Sequence, residues 1–148
     1  MSGGDPEDRN WALLRRLIAV HTLLYRATRG RVGHHVRGTP PMLLLEHVGA
    51  RSGVRRRAPL GYLADELGLV IVASKGGHRH NPSWFHNLRA HPDTVVQIGS
   101  KRQPVHARIA DSDERRRLWP KVVELHAGYD DYQRHTEREI PLVILEPR

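Results

Sequence analysis

Short segments rich in apolar and β-branched residues, separated by turn residues, constrain the fold of this chain more than any other feature. They predict strands at Met42–Val48, 57–64, 69–74, 94–99, 104–110 and 140–146. Turn residues at 65–68 and 100–103 join neighbouring strands and predict hairpins. Strands that are mostly joined as hairpins, with helices at the two ends and in one crossover, indicate a closed or nearly closed small antiparallel barrel.

An amphipathic helix is predicted near the N-terminus. Residues 9–29 contain no Gly or Pro, and apolar residues recur there at three- and four-residue steps. A Gly/Pro/His-rich connector at 30–41 divides the chain into residues 1–30 and a domain at 31–148. Because Arg15, Arg16 and Arg26 lie between the apolar rows, this helix suits either packing on its own domain or contact with an anionic membrane surface.

Two further helices are predicted inside the β-rich part. Residues 82–90 have Pro82 in the first turn, where its missing N–H costs nothing. Asp111 is a candidate N-cap with Glu114 three residues later, which is the pattern of a capping box. That helix is expected to run toward His126 despite Pro120.

The composition excludes several classes of protein. A length of 148 residues favours one domain, and the absence of cysteine excludes thiol catalysis, iron–sulfur clusters and Cys-ligated zinc. The histidines at 78–91 lack the spacing of a metal site, so no metal is expected. No apolar run reaches the ~20 residues that cross a bilayer, and the polar N-terminus does not resemble a secretory signal. A cytoplasmic location is therefore expected.

Positive charge is concentrated in the first part of the chain. Residues 1–60 contain 11 basic and 4 acidic side chains, whereas the remaining residues are nearly balanced at 13 and 12. Such a field attracts an anion. Three partners could therefore be attracted to this charge: nucleic acid, an anionic membrane or a phosphate-bearing cofactor.

Two glycine-containing loops carry basic residues at strand ends. The loop 49–57 combines glycines with four arginines, which suits a phosphate or a carboxylate but is also common on a solvated surface. The segment from Ala73 to Gly77 places Lys75 beside two glycines directly after the most hydrophobic strand. Neither loop has the spacing of a P-loop or of a dinucleotide fingerprint.

Aromatic residues could serve as core packing or as faces for a planar ring. Trp84 lies near Asn87 on the predicted short helix, and Tyr129 and Tyr132 are three residues apart near the C-terminus. The sequence shows no catalytic triad order, nucleophile elbow or pair of carboxylates in an apolar setting. An enzyme with this sequence would therefore depend on the reactivity of a cofactor.

The chain resembles the deazaflavin-dependent nitroreductases, which use coenzyme F420. The resemblance is carried by the ordered motifs at 49–60, 73–77, 81–88, 96–99, 118–120, 129–132 and 140–141. It implies a split β-barrel that binds reduced F420 and passes hydride to a quinone or a nitroaromatic acceptor. Some members associate with membranes through the N-terminal segment, so a peripheral membrane location is a further expectation.

The resemblance also implies roles for particular residues. Those expected to contact the cofactor are Arg51, Ser52, Arg56, Pro59, Ser74, Lys75, Gly76, Gly77, Trp84, Asn87 and Tyr129. Tyr132 and Ser74 are the catalytic candidates, as possible proton donors to the reduced acceptor. Trp84, Tyr129 and Tyr132 are expected near a hydrophobic acceptor pocket.

One position departs from the family pattern. Where some quinone- and nitro-reducing members have a tyrosine, three residues before Tyr129, this chain has His126. The preference for a particular acceptor is therefore not carried over. The alternative function is a basic nucleic-acid-binding barrel without catalysis, although only 5% of residues are aromatic and few can stack on bases. A barrel that binds FMN or a haem-related ligand is a third possibility.

Overall fold

The computed structural model describes residues 41–148. The predicted helix at 9–29, the connector and the boundary near residue 30 lie outside the described residues. Among the described residues, no helix is long and apolar enough to cross a membrane.

Seven strands form one antiparallel sheet in the described part of the chain. They are β1 (Met42–Val48), β2 (Arg55–Gly61), β3 (Leu63–Asp65), β4 (Gly68–Val72), β5 (Asp93–Ile98), β6 (Lys101–Ile109) and β7 (Leu142–Pro147). The order across the sheet is β2-β1-β5-β6-β7-β4-β3. The hairpins β3–β4 and β5–β6 are both confirmed, but the second turn lies at 99–100 and not at 100–103, because residues 101–103 pair with β5 as part of β6.

The two edges of this sheet are consecutive in sequence. β2 and β3 are separated only by Tyr62, yet β2 pairs with β1 at one edge and β3 pairs with β4 at the other. A sheet whose opposite edges are one residue apart must curl on itself. This geometry confirms the split barrel and corrects the prediction of one continuous strand at 57–64: the chain changes pairing partner at Tyr62, whose N–H donates to Pro41 O at 3.0 Å.

Alternating residues along the strands supply two separate cores. Leu45, Ile71 and Val96 belong to an inner cluster that also contains Trp84 and Phe85. Val70, Val72, Leu142 and Ile144 face the other side of the sheet and pack with Leu118 and Val122. The sheet is thus covered by a different helix on each face.

Three α-helices accompany the sheet among the described residues: α1 (Ser83–Ala90), α2 (Ser112–Leu125) and α3 (Gly128–Arg134). The capping box of α2 is confirmed, since Glu114 N donates to Asp111 Oδ1 at 2.8 Å and Asp111 N donates to Glu114 Oε1 at 3.0 Å. Helix α3 was not predicted. Its seven residues begin with a glycine and are too few to form a stable helix without tertiary contacts.

Candidate functional site

A tight turn with a left-handed backbone follows strand β4. Lys75, Gly76 and Gly77 form a short 3-10 turn with φ values of 47°, 63° and 81°. A positive φ is unfavourable for a lysine and must be held by its surroundings. Ser74 is right-handed helical and Lys75 is left-handed, and this succession is the backbone shape of an anion-binding nest, in which successive N–H groups point to one side.

Helix α3 packs directly on this turn because residue 77 is a glycine. A Cβ atom at Gly77 would lie 2.8 Å from the Tyr132 carbonyl oxygen and 3.0 Å from His135 Cβ. At Gly76, in contrast, a Cβ would meet no atom of residues 41–148 within 4 Å. The turn at 74–77 and the backbone of Tyr132 are therefore neighbours.

Arg138 holds the same turn from the C-terminal side, and the sequence analysis missed it. Its guanidinium group donates to Ser74 O and His78 O at 2.8 Å, to Ala73 O at 3.2 Å and to Asn81 Oδ1 at 2.8 Å. Burial lowers the pKa of Arg138. The forked donors of arginine suit several acceptors at once, but no local signal distinguishes this arginine from the many others in the chain.

Three rings lie together where α2 passes into α3. The ring centroids of His126 and Tyr129 are 5.0 Å apart in an edge-to-face arrangement, and those of Tyr129 and Tyr132 are 6.2 Å apart. Burial, followed by the charge of Tyr132, raises the pKa of Tyr129 to about 12. Its phenol is therefore protonated at neutral pH and is available as a hydrogen-bond donor.

The basic turn between β1 and β2 lies at the surface. Ser52 Oγ accepts from Val54 N at 3.2 Å, which places this side chain inside the turn. Arg51, Arg55 and Arg56 are exposed, and no side-chain hydrogen bond or ion pair joins them to other residues in the described range 41–148. No acidic group in that range therefore neutralises these side chains, which favours the binding of an anion.

Helix α1 connects the two loops. It begins six residues after Gly77, and Asn87 Oδ1 in its second turn accepts from Ala50 N in the basic turn at 2.9 Å. The side chain of Asn87 is thus used to hold that turn. Its predicted contact with the cofactor stays a prediction.

Two further predicted residues lie in packed surroundings. Trp84 is 7% exposed and belongs to the inner cluster, whereas Tyr129 and Tyr132 pack against the cluster on the other face of the sheet, beside helix α2. The structure therefore places Trp84 in a different cluster from the two tyrosines. Pro59 is half-buried in β2 opposite Leu44. The predicted contacts of Trp84 and Pro59 with the cofactor stay predictions.

The split barrel, the anion-binding turn and the neighbouring aromatic rings are an arrangement suited to a protein that binds a phosphate-bearing cofactor with a planar ring. The family model for F420H(2)-dependent quinone reductases matches residues 17–147. The chain belongs to this family.

Relatives and a solved structure agree with this assignment. An F420H(2)-dependent quinone reductase of Mycobacterium tuberculosis is 42% identical over 136 residues, which are 90% of this chain and 91% of the relative. A second protein of that organism, a candidate for the same activity, is 49% identical over 118 residues, or 80% and 99% of the two chains. The solved structure of an F420-H2 dependent reductase is 38% identical with a TM-score of 0.65, covering 77% of this chain and all of the other.

The described residues fit coenzyme F420. This cofactor carries a phosphodiester and an acidic glutamate tail, and the site offers three exposed arginines without partners in the described range and an anion-binding turn. No atom in the described part of the chain lies within 4 Å of the Cβ position at Gly76, and the missing side chain allows a ligand a close approach to the backbone there. No group of three or more metal-ligating side chains is found in residues 41–148.

Proposed function

We propose that this chain transfers hydride from reduced coenzyme F420 to a quinone at the contact between the turn 74–77 and helix α3. The observation that carries the proposal is the close packing of Gly77 on Tyr132, with a distance of 2.8 Å from the position of a Cβ to the Tyr132 carbonyl oxygen. It brings the anion-binding turn against the backbone of helix α3, the helix that carries Tyr129 and Tyr132.

Three basic residues hold the acidic part of the cofactor in this proposal. Arg51 and Arg56 lie in and after the exposed turn that precedes β2, and Lys75 lies in the left-handed turn after β4. Charge-assisted hydrogen bonds to phosphate or carboxylate are stronger than neutral ones. Ser52 and Asn87 support the basic turn through their bonds to Val54 and Ala50.

The bound cofactor supplies the hydride, so the protein needs no nucleophile of its own. The task of the protein is to orient the flat acceptor and to provide a proton. Tyr132 and Ser74 are the proposed donors, since the backbone of Tyr132 meets the turn that Ser74 begins. Tyr129 remains a neutral phenol and forms part of the wall for the acceptor.

His126 makes this wall different from that of the relatives which have a third tyrosine. Its imidazole occupies the space beside Gly128, where a Cβ would lie 2.7 Å from His126 Nε2. Quinones are favoured as acceptors by the family assignment. Nitroaromatic compounds stay a second acceptor class to be tested beside them.

Contact with an anionic membrane is a separate part of the proposal. It rests on the arginines between the apolar rows of residues 9–29. Co-sedimentation with anionic liposomes, for the full chain and for a chain without residues 1–30, tests it. Loss of binding in the shorter chain supports the proposal, and equal binding contradicts it.

Equilibrium binding tests the cofactor part. The fluorescence of oxidised F420 is expected to change on titration with the protein, and an oligonucleotide gel shift at two salt concentrations serves as the rival assay. Binding of F420 with no salt-sensitive shift of the oligonucleotide supports the redox function. A salt-sensitive shift of the oligonucleotide without binding of F420 supports the nucleic-acid alternative.

A further inference from the structure

His47 is a buried histidine in β1 with no place in the site described so far. It is 6% exposed and is the cross-strand partner of Arg56 on β2. Directly paired residues of neighbouring strands project from the same face of a sheet. The imidazole therefore lies beside an exposed guanidinium group that has no ion-pair partner among residues 41–148.

The hydrogen bonds of Asn87 determine which nitrogen of His47 carries the proton. Asn87 Oδ1 accepts from the backbone N–H of Ala50 at 2.9 Å, so its amide nitrogen Nδ2 is the atom that lies 2.9 Å from His47 Nδ1. An amide nitrogen only donates. His47 Nδ1 must therefore accept, and the proton of the neutral ring is on Nε2.

Electrostatics agree with a neutral ring. Burial, and then the charge of Arg56, lowers the pKa of His47 to about 4. At neutral pH the side chain is thus an uncharged donor. No partner for Nε2 is found within the described part of the chain. A buried donor without a partner requires an explanation, because it loses the hydrogen bond that water would give it.

A groove borders His47. His47 lines a groove with a volume of about 400 Å³, together with Arg55, Arg56, Arg57 and Arg148.

The acidic residues of this groove are already compensated. Glu46 is 2.7 Å from Arg102 and 3.4 Å from Arg57, and Asp93 is 3.9 Å from Arg148 and 2.7 Å from the hydrogen-bonding ring of His106. Arg55 and Arg56 are left to attract an anion from solution.

We propose that His47 Nε2 and the Arg56 guanidinium group together bind an oxyanion of the cofactor's tail, with Asn87 fixing the imidazole in the donating tautomer. This inference rests on the proposed function, because it takes the tail of F420 as the ligand. The oxyanion is either the phosphodiester or a carboxylate of the glutamates, which present the same acceptor to a neutral N–H and a guanidinium group. The side chain of Asn87 would then link two parts of the binding site: it holds the basic turn through Ala50 N and orients His47, which binds the oxyanion.

Two substitutions of His47 separate its two nitrogens in the full chain. His47→Asn keeps an oxygen that accepts from Asn87, as Nδ1 does, but removes the donor at Nε2. His47→Gln reaches the Nε2 position with its amide and keeps a donor there. His47→Asn is expected to raise the Kd for F420 about tenfold, whereas His47→Gln changes it less than about threefold.

Cofactor fragments locate the effect. A deazaflavin without the phosphodiester and glutamates is expected to bind wild type and His47→Asn equally. A form with the phosphodiester but without glutamates shows which oxyanion His47 binds. If His47→Asn binds this form as much more weakly than wild type as it does complete F420, the ligand is the phosphodiester. If its affinity is reduced only for F420 with the complete tail, the ligand is a glutamate carboxylate. Unchanged F420 binding by His47→Asn, or an equal loss for the tail-less ring, overturns the proposal.

Nitrogen NMR of the histidine rings gives a second readout that needs no F420. The signal absent from His47→Asn is expected to show protonated Nε2 and to shift when inorganic phosphate or a short oligoglutamate peptide is added. Protonation on Nδ1, or no shift with either anion, overturns the proposal. Failure of the wild type to bind F420 is a failure of the proposed function, while this titration still decides the role of His47.

Discussion

Replacement of Gly77 by alanine tests the contact that joins the turn 74–77 to helix α3. The residue has a φ of 81°, and its new Cβ would lie 2.8 Å from the Tyr132 carbonyl oxygen. The backbone conformation alone costs an L-residue ~1–2 kcal/mol. Because the nearest atoms belong to the backbone of α3, the helix must also move, and we expect the total loss of unfolding free energy to reach about 3 kcal/mol.

Gly99→Ala is the matched control. Gly99 has a φ of 59° in the β5–β6 hairpin, and a Cβ there meets no atom of the described residues within 4 Å. It isolates the backbone cost of ~1–2 kcal/mol. Denaturant unfolding of both variants measures the difference, which we assign to the displacement of α3.

Activity distinguishes a displaced site from a merely weakened fold. Misplacement of reacting groups by ~1 Å can cost about 100-fold in rate. F420H2-dependent quinone reduction is therefore expected to fall at least tenfold in Gly77→Ala, measured where the variant is fully folded, and to remain normal in Gly99→Ala. Equal stability of the two variants together with full activity of Gly77→Ala would refute the reasoning.

Three other changes give separate expectations. Arg138→Lys cannot reproduce the four hydrogen bonds of Arg138 and is expected to lower the unfolding free energy by ~2–3 kcal/mol and to weaken F420 binding about tenfold. The control Arg134→Gln lies on the exposed side of α3 and is expected to change both quantities little. Equal effects of the two substitutions would contradict the view that Arg138 holds the turn 74–77. Arg51→Ala combined with Lys75→Ala should raise the Kd for F420 at least tenfold by fluorescence titration, and an unchanged Kd excludes both as tail contacts. Because the pKa of His47 is lowered from 6.5 to about 4, the unfolded state binds its proton first, and stability is expected to fall by roughly 3 kcal/mol as the pH decreases between these values. Denaturant titrations should show that this part of the pH dependence is absent in His47→Asn; its persistence there assigns it to other groups.

Local signals in the sequence were sufficient for much of the fold. The bounds of β1 and the capping box of α2 were predicted because apolar runs and caps act within a few residues. The break at Tyr62 was not, because it depends on which strands pair across the curled sheet. Helix α3 was also missed, since tertiary packing on the turn supports it.

The site shows the same division. Motifs predicted the turn 74–77 and the two tyrosines, and the structure brings the turn and Tyr132 together. Arg138 acts on carbonyl groups about 60 residues away in sequence, and no spacing in the chain announces such a contact. His47 was hidden in the same way, because its tautomer depends on Asn87, 40 residues away.

Anaerobic mixing of the full chain with F420H2 and a soluble quinone tests the central claim most directly. The account predicts that the oxidised F420 chromophore reappears only when protein and quinone are both present, with one quinol formed for each F420H2 consumed. Reoxidation no faster than in the protein-free mixture, or independent of the quinone, would contradict it.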